Sequence, residues 1–239
     1  MLGIFAKGIT DFIKKFRVER MILGGFPKRE RTVFVSLPRF SGEVLSRKRD
    51  IMLSNEVSLL LDINAFLSSA GIELETDIDE LDIPSSEVQI GGPVSNVYTN
   101  RYVRYYLKNF KWIVNQDHLD RYETDDNLRQ LTFNFIETST DGREGFRLGE
   151  TFYEYIPNEK GWALIIKIVD RENEKVIHLL FGCGANGTLG AVKRFISQYK
   201  QIYKKHKKRP YIGIFEVDGD GVGTQRDITW LKIQDYFNY

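Results

Sequence analysis

The sequence predicts an α/β fold: a Rossmann-like three-layer sandwich whose mixed sheet has a parallel core and antiparallel additions. Strand-like and helix-like segments alternate between residues 33 and 107, which implies parallel strands joined by right-handed crossovers. An apolar run that begins at Val176 leads into three glycines and then into a long helical segment. Between these regions, short alternating or aromatic runs predict further strands with antiparallel pairing.

Composition and charge are those of an ordinary folded protein. The 239 residues are 42% hydrophobic and 28% charged, and the formal net charge is +1. The total charge therefore gives no general attraction to nucleic acid or to anionic membranes. The single cysteine excludes an intramolecular disulfide and a cysteine-based zinc cluster. With no secretory signal and no apolar run long enough to cross a bilayer, the expected compartment is the cytoplasm.

Charge is nevertheless distributed unevenly along the chain. No Lys or Arg occurs between Asp50 and Asn100, and no Asp or Glu occurs between Thr188 and Phe215. Such blocks are usually solvated faces, and they also suit complementary surfaces of an oligomer. The basic run Lys193–Arg209 contains tyrosines, which is a pattern for binding nucleic acid. A lysine-rich helix end also follows from the helix dipole alone, and nucleic acid is the less favoured partner.

The N-terminal segment predicts a basic amphipathic helix over residues 1–20, followed by a hinge at Gly24–Pro27. Apolar residues such as Phe12 and Phe16 recur on one side of this helix, with lysines and arginines on the remainder. A helix of this kind packs on its own domain, docks on a partner protein or a second copy, or lies on a membrane as a peripheral contact.

We interpret residues 1–31 as this helix and hinge, and residues 32–239 as a single α/β domain with a β-rich insertion at about 110–160. The expected strands are Thr32–Leu37, Glu87–Ile90, Lys111–Val114, Leu131–Glu137, Glu150–Tyr155, Gly161–Asp170, Lys175–Phe181, Tyr211–Val217 and Ile228–Ile233. The expected helices of the domain are Asn55–Ala70, Val97–Leu107 and Thr188–Lys205. The stretch Arg39–Ser54 lacks periodicity and is interpreted either as a basic loop able to close over phosphates or as a surface loop with solvated charges.

Two glycine-rich loops, each after a predicted strand and before a predicted helix, are the candidate ligand-binding site, and the alternative is that both are structural turns without a ligand. Glycine lets the backbone approach a phosphate, and the first N–H groups of a helix attract negative charge. Loops at the carboxyl ends of parallel strands share one edge of a sheet, where ligands bind. The candidate residues are Gly91, Gly92, Ser95 and Asn96 in the first loop, and Gly182, Gly184, Asn186, Gly187 and Thr188 in the second.

A dinucleotide site also needs an acidic residue that holds a ribose hydroxyl. Glu216 and Asp218, at the end of the next strand, are the candidates, and Glu216 is the only one for catalysis. The glycine pattern comes too late in the chain for a dehydrogenase. Cys183 lacks the arginine six positions later that a cysteine phosphatase uses, since Leu189 stands there. We therefore expect a small buried cysteine, and the histidine spacing predicts no metal site.

The phrases Ile90-Gly-Gly-Pro-Val-Ser-Asn96 with Thr99, and Gly184-Ala-Asn-Gly187-Thr188 with Ala191, resemble Rossmann-like nucleotide-sensing families of bacterial conflict systems. These are the SLOG and TIR groups and their nucleoside-deoxyribosyltransferase-like relatives. The resemblance implies an α/β domain that binds, or in some members cleaves, NAD-like or cyclic nucleotide ligands. Cleavage in those families depends on a positioned glutamate.

Three hypotheses for function follow. The leading one is the binding or sensing of a nucleotide-derived ligand, either NAD-like or a cyclic nucleotide, in bacterial defence signalling. The second is an N-glycosidase that acts on NAD or a nucleoside through Glu216. The third is a non-enzymatic interaction module that docks through the N-terminal helix.

Overall fold

The computed structural model describes residues 2–24, 26, 31–37, 40–44, 47–51, 54–76, 86–116, 135–218 and 227–238. Within these ranges the helices are α1 (Leu2–Ile22), α2 (Ser54–Ser68), α3 (Val97–Tyr106) and α4 (Gly184–His206), with a short 3-10 helix at Ile233–Asp235. None of the described helices is long and apolar enough to cross a membrane.

The strands in the described part of the chain form three sheets. In chain order they are β1 (Thr32–Ser36), β2 (Phe40–Val44), β3 (Arg47–Ile51), β4 (Glu73–Glu75), β5 (Ser86–Ile90), β6 (Phe110–Asn115), β7 (Ile136–Ser139), β8 (Glu144–Leu148), β9 (Thr151–Tyr155), β10 (Lys160–Asp170), β11 (Lys175–Gly182), β12 (Tyr211–Asp218) and β13 (Thr229–Trp230).

The central sheet has seven strands in the order β13-β12-β10-β11-β5-β1-β4. Strands β4, β1, β5 and β11 are mutually parallel, whereas β10 is antiparallel to both β11 and β12. Because β11 and β12 are both antiparallel to β10, they run in the same direction. The predicted α/β fold with a mixed sheet of parallel and antiparallel strands is confirmed.

Helices cover one face of this sheet. Val18 and Met21 of α1, Ile63 of α2, and Val192 and Phe195 of α4 all have 0% exposure and belong to one apolar cluster. Full burial of each such side chain contributes about 1.5–3 kcal/mol. The C-terminal half of α1 is therefore an integral part of the core.

The opposite face is covered by α3 and by a four-stranded sheet of order β7-β6-β8-β9. Aromatic side chains fill the space between the two sheets. Phe146 has 0% exposure and stacks on Tyr153, with ring centroids 4.7 Å apart. Strand β10 is buried on both faces, which explains why it appears in the sequence as a continuous apolar run.

Several predicted elements need correction. Within the predicted loop Arg39–Ser54, the described segments Phe40–Val44 and Arg47–Ile51 are not irregular, because they pair as the antiparallel strands β2 and β3. Local pairing satisfies the backbone groups of such a hairpin without any apolar periodicity. Strand β8 was not predicted, and β6 pairs with β7 in parallel rather than antiparallel fashion.

Helix α4 begins at Gly184, four residues earlier than predicted. Gly184 and Gly187 therefore lie in its first turns rather than in a preceding loop. The expected strand Ile228–Ile233 is reduced to the two residues of β13. Part of the predicted hinge, Gly24–Pro27, and part of the predicted strand Leu131–Glu137 fall outside the described residues.

Candidate ligand-binding edge of the sheet

The two glycine-rich loops lie side by side. They follow β5 and β11, which are parallel neighbours. The N–H of Gly91 donates to the carbonyl of Leu180 over 3.1 Å. A Cβ atom added to Gly92 would lie 4.0 Å from the carbonyl oxygen of Gly182. The sequence-based expectation that parallel strands bring these loops to one edge therefore agrees with the observed pairing.

The first loop is closed by its own hydrogen bonds. Asn96 is the N-cap of α3, and its Oδ1 accepts from the N–H groups of Tyr98 and Thr99 at 2.9 and 3.1 Å. Its Nδ2 donates to the Ile90 carbonyl and to Ser36 Oγ at 2.9 and 2.7 Å. Both polar ends of this buried amide are therefore engaged within the protein.

The rest of the first loop is also largely turned inward. Gly91 and Gly92 are buried, and Gly91 has φ of 106°. Ser95 is half-buried, and its Oγ donates to the carbonyl of Gly92 over 3.3 Å. We infer that this loop supports the neighbouring one and positions α3.

In the second loop, two glycines are required by close packing. A Cβ atom on Gly182 would lie 2.2 Å from the carbonyl oxygen of Trp162 and 2.7 Å from the Cα of Gly187. A Cβ atom on Gly187 would lie 2.6 Å from the same carbonyl oxygen. That oxygen also accepts a hydrogen bond from the N–H of Cys183 at 2.9 Å. The absence of side chains lets the first turn of α4 rest directly on β10 and β11.

The start of α4 faces outward. Gly184 and Ala185 are exposed, Asn186 is half-buried and Thr188 is buried. The N-cap residue, Cys183, makes no side-chain capping bond. Since the first N–H groups of an α-helix lack partners within the helix, this terminus carries partial positive charge toward solvent.

Aromatic and charged side chains that the sequence analysis did not single out border this terminus. A Cβ atom on Gly184 would lie 2.9 Å from the hydroxyl of Tyr155. Burial raises the pKa of that hydroxyl. Lys160 Nζ lies 5.1 Å from the ring centroid of Trp162 and 3.8 Å from Glu216 Oε2. The strands predicted at 161–170 and 175–181 form the β10–β11 hairpin, whose register sets residue 163 opposite residue 182 and so brings Trp162 to this edge.

The two acidic candidates lie at this same edge. Glu216 pairs with Trp162 across β12 and β10, and Asp218 pairs with Lys160. Two strand spacings of about 4.8 Å separate β12 from β11, so Glu216 is about 10 Å from the end of β11. Asp218 is exposed, and residues 219–226, which follow it, lie outside the described residues.

Cys183 is not a nucleophile in this setting. Its side chain is 3% exposed, and burial raises the pKa of the thiol far above its usual value, with Glu144 adding to the effect. A thiol that stays protonated does not attack a phosphoryl group. The prediction of a small buried cysteine is confirmed.

A buried polar network lies behind the first loop. Asn96 donates to Ser36, whose hydroxyl donates in turn to Gln89 Oε1. Gln89 Nε2 donates to Glu87 Oε2 over 2.7 Å. Glu87 also accepts from the hydroxyl of Tyr102 at 2.6 Å. The chain of bonds thus connects the loop to the far end of β5.

The network ends in a buried ion pair. Lys175 Nζ lies 2.8 Å from Glu87 Oε1, and the two side chains are 7% and 0% exposed. Burial raises the pKa of Glu87 against the opposing effects of Lys175 and its hydrogen-bond donors. With every polar end paired, the network fixes the spacing of α3, β5 and β11 rather than offering a group to solvent.

Comparison with known protein families, curated proteins and solved structures found no match to this chain. The resemblance to the nucleotide-sensing families therefore stays a prediction.

Proposed function

We propose that the protein binds a nucleotide-derived ligand, either NAD-like or a cyclic nucleotide, at the edge where β5 and β11 end. The observation that carries this proposal is the start of α4. Gly184 and Ala185 are exposed, the N-cap residue Cys183 makes no side-chain capping bond, and the terminus lies at the end of a parallel strand. Such a terminus is suited to a phosphate group.

The surrounding side chains have the chemistry that the rest of a nucleotide needs. Tyr155 and Trp162 provide aromatic surfaces for a base, and an aromatic ring accepts stacking by any base. Glu216 provides a carboxylate that accepts a hydrogen bond from a ribose hydroxyl. In this proposal the parallel strands β4, β1, β5 and β11, with helices on both sides, are the Rossmann-like part of a three-layer sandwich.

A substitution at Ala185 tests the proposal without disturbing the fold. Ala185→Asp places a negative charge in the first turn of α4, where the helix dipole tolerates or favours it. The same charge repels a phosphate. Isothermal titration with NAD, ADP-ribose and cyclic dinucleotides should show saturable binding of one of them to the wild type. Binding should be lost in Ala185→Asp and kept in the matched neutral variant Ala185→Asn.

Two results would overturn the proposal. One is the absence of binding by all these compounds, with an unchanged melting temperature. The other is binding that Ala185→Asp and Ala185→Asn weaken equally, because the ligand would then not depend on the charge at this helix start.

Sensing in bacterial defence signalling, in the cytoplasm, is a further part of the proposal that depends on the sequence resemblance. We expect ligand binding by such a sensor to change its own association state or that of a partner protein. Sedimentation with and without the bound compound measures this change. The N-glycosidase alternative predicts release of nicotinamide from NAD, and loss of that release in Glu216→Gln. Binding without product formation would exclude this alternative.

A further inference from the structure

Helix α1 has two apolar faces on opposite sides. Val18 and Met21 are fully buried in the core, whereas Phe12, Ile13 and Phe16 are 69%, 40% and 44% exposed. Residues two positions apart on an α-helix differ by about 200° in direction, so Phe16 points away from the side of Val18. Phe12 and Phe16, four positions apart, lie one above the other. Two large aromatic side chains and an isoleucine thus form one apolar surface that faces solvent.

A basic groove adjoins this surface. It lies between α1 and the C-terminal half of α4 and has a volume of about 340 Å³. Arg17 lines it from α1. Lys200, Gln201, Tyr203 and Lys204 line it from α4, and Lys207 lines it from the position directly after that helix. Because Arg17 is four residues after Ile13, the groove begins beside the apolar surface.

None of the described residues that line the groove is acidic, and the acidic residues of α1 are Asp11 and Glu19. Residues 188–215 contain no Asp or Glu. Glu19 of α1 is paired with Arg31 at 3.1 Å. Arg20 adds another cation at the border, with its guanidinium carbon 5.1 Å from the ring centroid of Phe16. The apolar surface is therefore bordered by cations.

We propose that this combined surface docks on a membrane that contains anionic phospholipids. Phe12, Ile13 and Phe16 enter the boundary between headgroups and acyl chains, and the basic groove contacts headgroup phosphates. An apolar helix face bordered by Lys and Arg is the pattern of helices that lie in this boundary. Charge complementarity favours an anionic lipid surface over a second copy of this chain, whose equivalent surface carries the same charge. The proposal is independent of nucleotide binding, which concerns the other end of α4.

Flotation of the full chain with lipid vesicles tests this surface. Vesicles of phosphatidylcholine and phosphatidylserine should carry the protein to the top of the gradient, and vesicles of phosphatidylcholine alone should not. Binding should fall when salt is raised, because the contacts between lysines and headgroups are screened.

Two sets of variants separate the apolar and the charged contributions. Phe12→Ser/Phe16→Ser should abolish flotation, whereas Leu61→Ser, at a leucine of α2 that is 62% exposed, should leave it unchanged. Each lysine at an anionic surface changes membrane partitioning about fivefold. Lys204→Gln/Lys207→Gln should therefore weaken partitioning to the anionic vesicles about 25-fold. Lys193→Gln, at an exposed lysine in the other half of α4, is the matched control.

Any of three outcomes would overturn the proposal. The first is equal binding to neutral and anionic vesicles, and the second is flotation unaffected by Phe12→Ser/Phe16→Ser. The third is a wild-type dimer in sedimentation that the same double variant converts to a monomer, which would assign the surface to a second copy. Melting temperatures of the variants should match the wild type, since the substituted side chains are exposed.

Discussion

The buried pair of Glu87 and Lys175 allows a quantitative prediction. Lys175→Met keeps most of the apolar length of the side chain and removes its charge, which leaves the Glu87 carboxylate, 0% exposed, without this cation. Loss of one partner of a buried pair costs about 3–5 kcal/mol. The cost has an upper limit here, because the Glu87 carboxyl takes up a proton when protonation costs less free energy than keeping the charge buried. For a carboxyl with the ordinary pKa of 4.5, the free energy of protonation at pH 7, which is this limit, is about 3.4 kcal/mol.

We therefore expect Lys175→Met to lower the free energy of unfolding by about 2–3.4 kcal/mol at pH 7. In this variant the folded-state pKa of Glu87 is raised further, since the cation that lowers it is gone. Stability is then greatest below the unfolded-state pKa and falls as pH rises toward the folded-state value. At pH 5 the deficit should be about 0.7 kcal/mol. Urea denaturation at both pH values, followed by circular dichroism, measures it.

Two further variants complete the test. Glu87→Gln/Lys175→Met removes both charges and should recover most of the lost stability. Lys111→Met breaks an exposed pair with Glu137 at 3.6 Å and should cost less than about 1 kcal/mol. The reasoning is refuted if Lys175→Met costs no more than Lys111→Met, or if its cost does not change with pH.

Three other predictions follow from groups near the two loops and the end of α4. Gly182→Ala should destabilise the fold by about 3 kcal/mol or more, because its Cβ would lie 2.2 Å from a carbonyl oxygen. Gly92→Ala, whose nearest contact would be 3.7 Å, should change stability by less than about 1 kcal/mol in the same denaturation assay. Burial lowers the pKa of His206 to about 4 and that of His178 well below its usual value. The stability that these neutral histidines contribute is therefore present above about pH 6.5 and is lost as pH falls toward 4. Thermal melts across this range should show the loss. Cys183 should resist alkylation by iodoacetamide in the folded protein and react once the chain is unfolded in urea, and rapid reaction without denaturant would contradict its burial.

Local sequence patterns predicted most of the fold. Apolar runs bounded by turn residues located β1, β5, β10, β11 and β12. These features depend on neighbouring residues alone. Strand β8, Glu144–Leu148, has no such signal, because its place between β6 and β9 depends on partners that are distant in sequence.

The candidate site was predictable only in part. Parallel pairing of β5 and β11 brings the glycines together, and the sequence indicated this through the order of strands and helices. The hydrogen bonds of Asn96 depend on how α3 packs against β1 and β5, and the close approach of Gly182 to Gly187 depends on how α4 packs on the sheet. Tyr155 lies beside Gly184 at the helix start because of the β9–β10 connection, which no motif in the chain signals.

The β10–β11 hairpin has a consequence for folding. Its eight residue pairs join segments separated only by residues 171–174, yet it lies in the middle of the seven-stranded sheet. Contacts between residues close in sequence form fastest, since little chain entropy is lost in bringing them together. We expect this hairpin to form before β5 and β12 join its two sides. Its central amides should then be among the slowest to exchange with deuterium, and the amides of the edge strands β4 and β13 among the fastest.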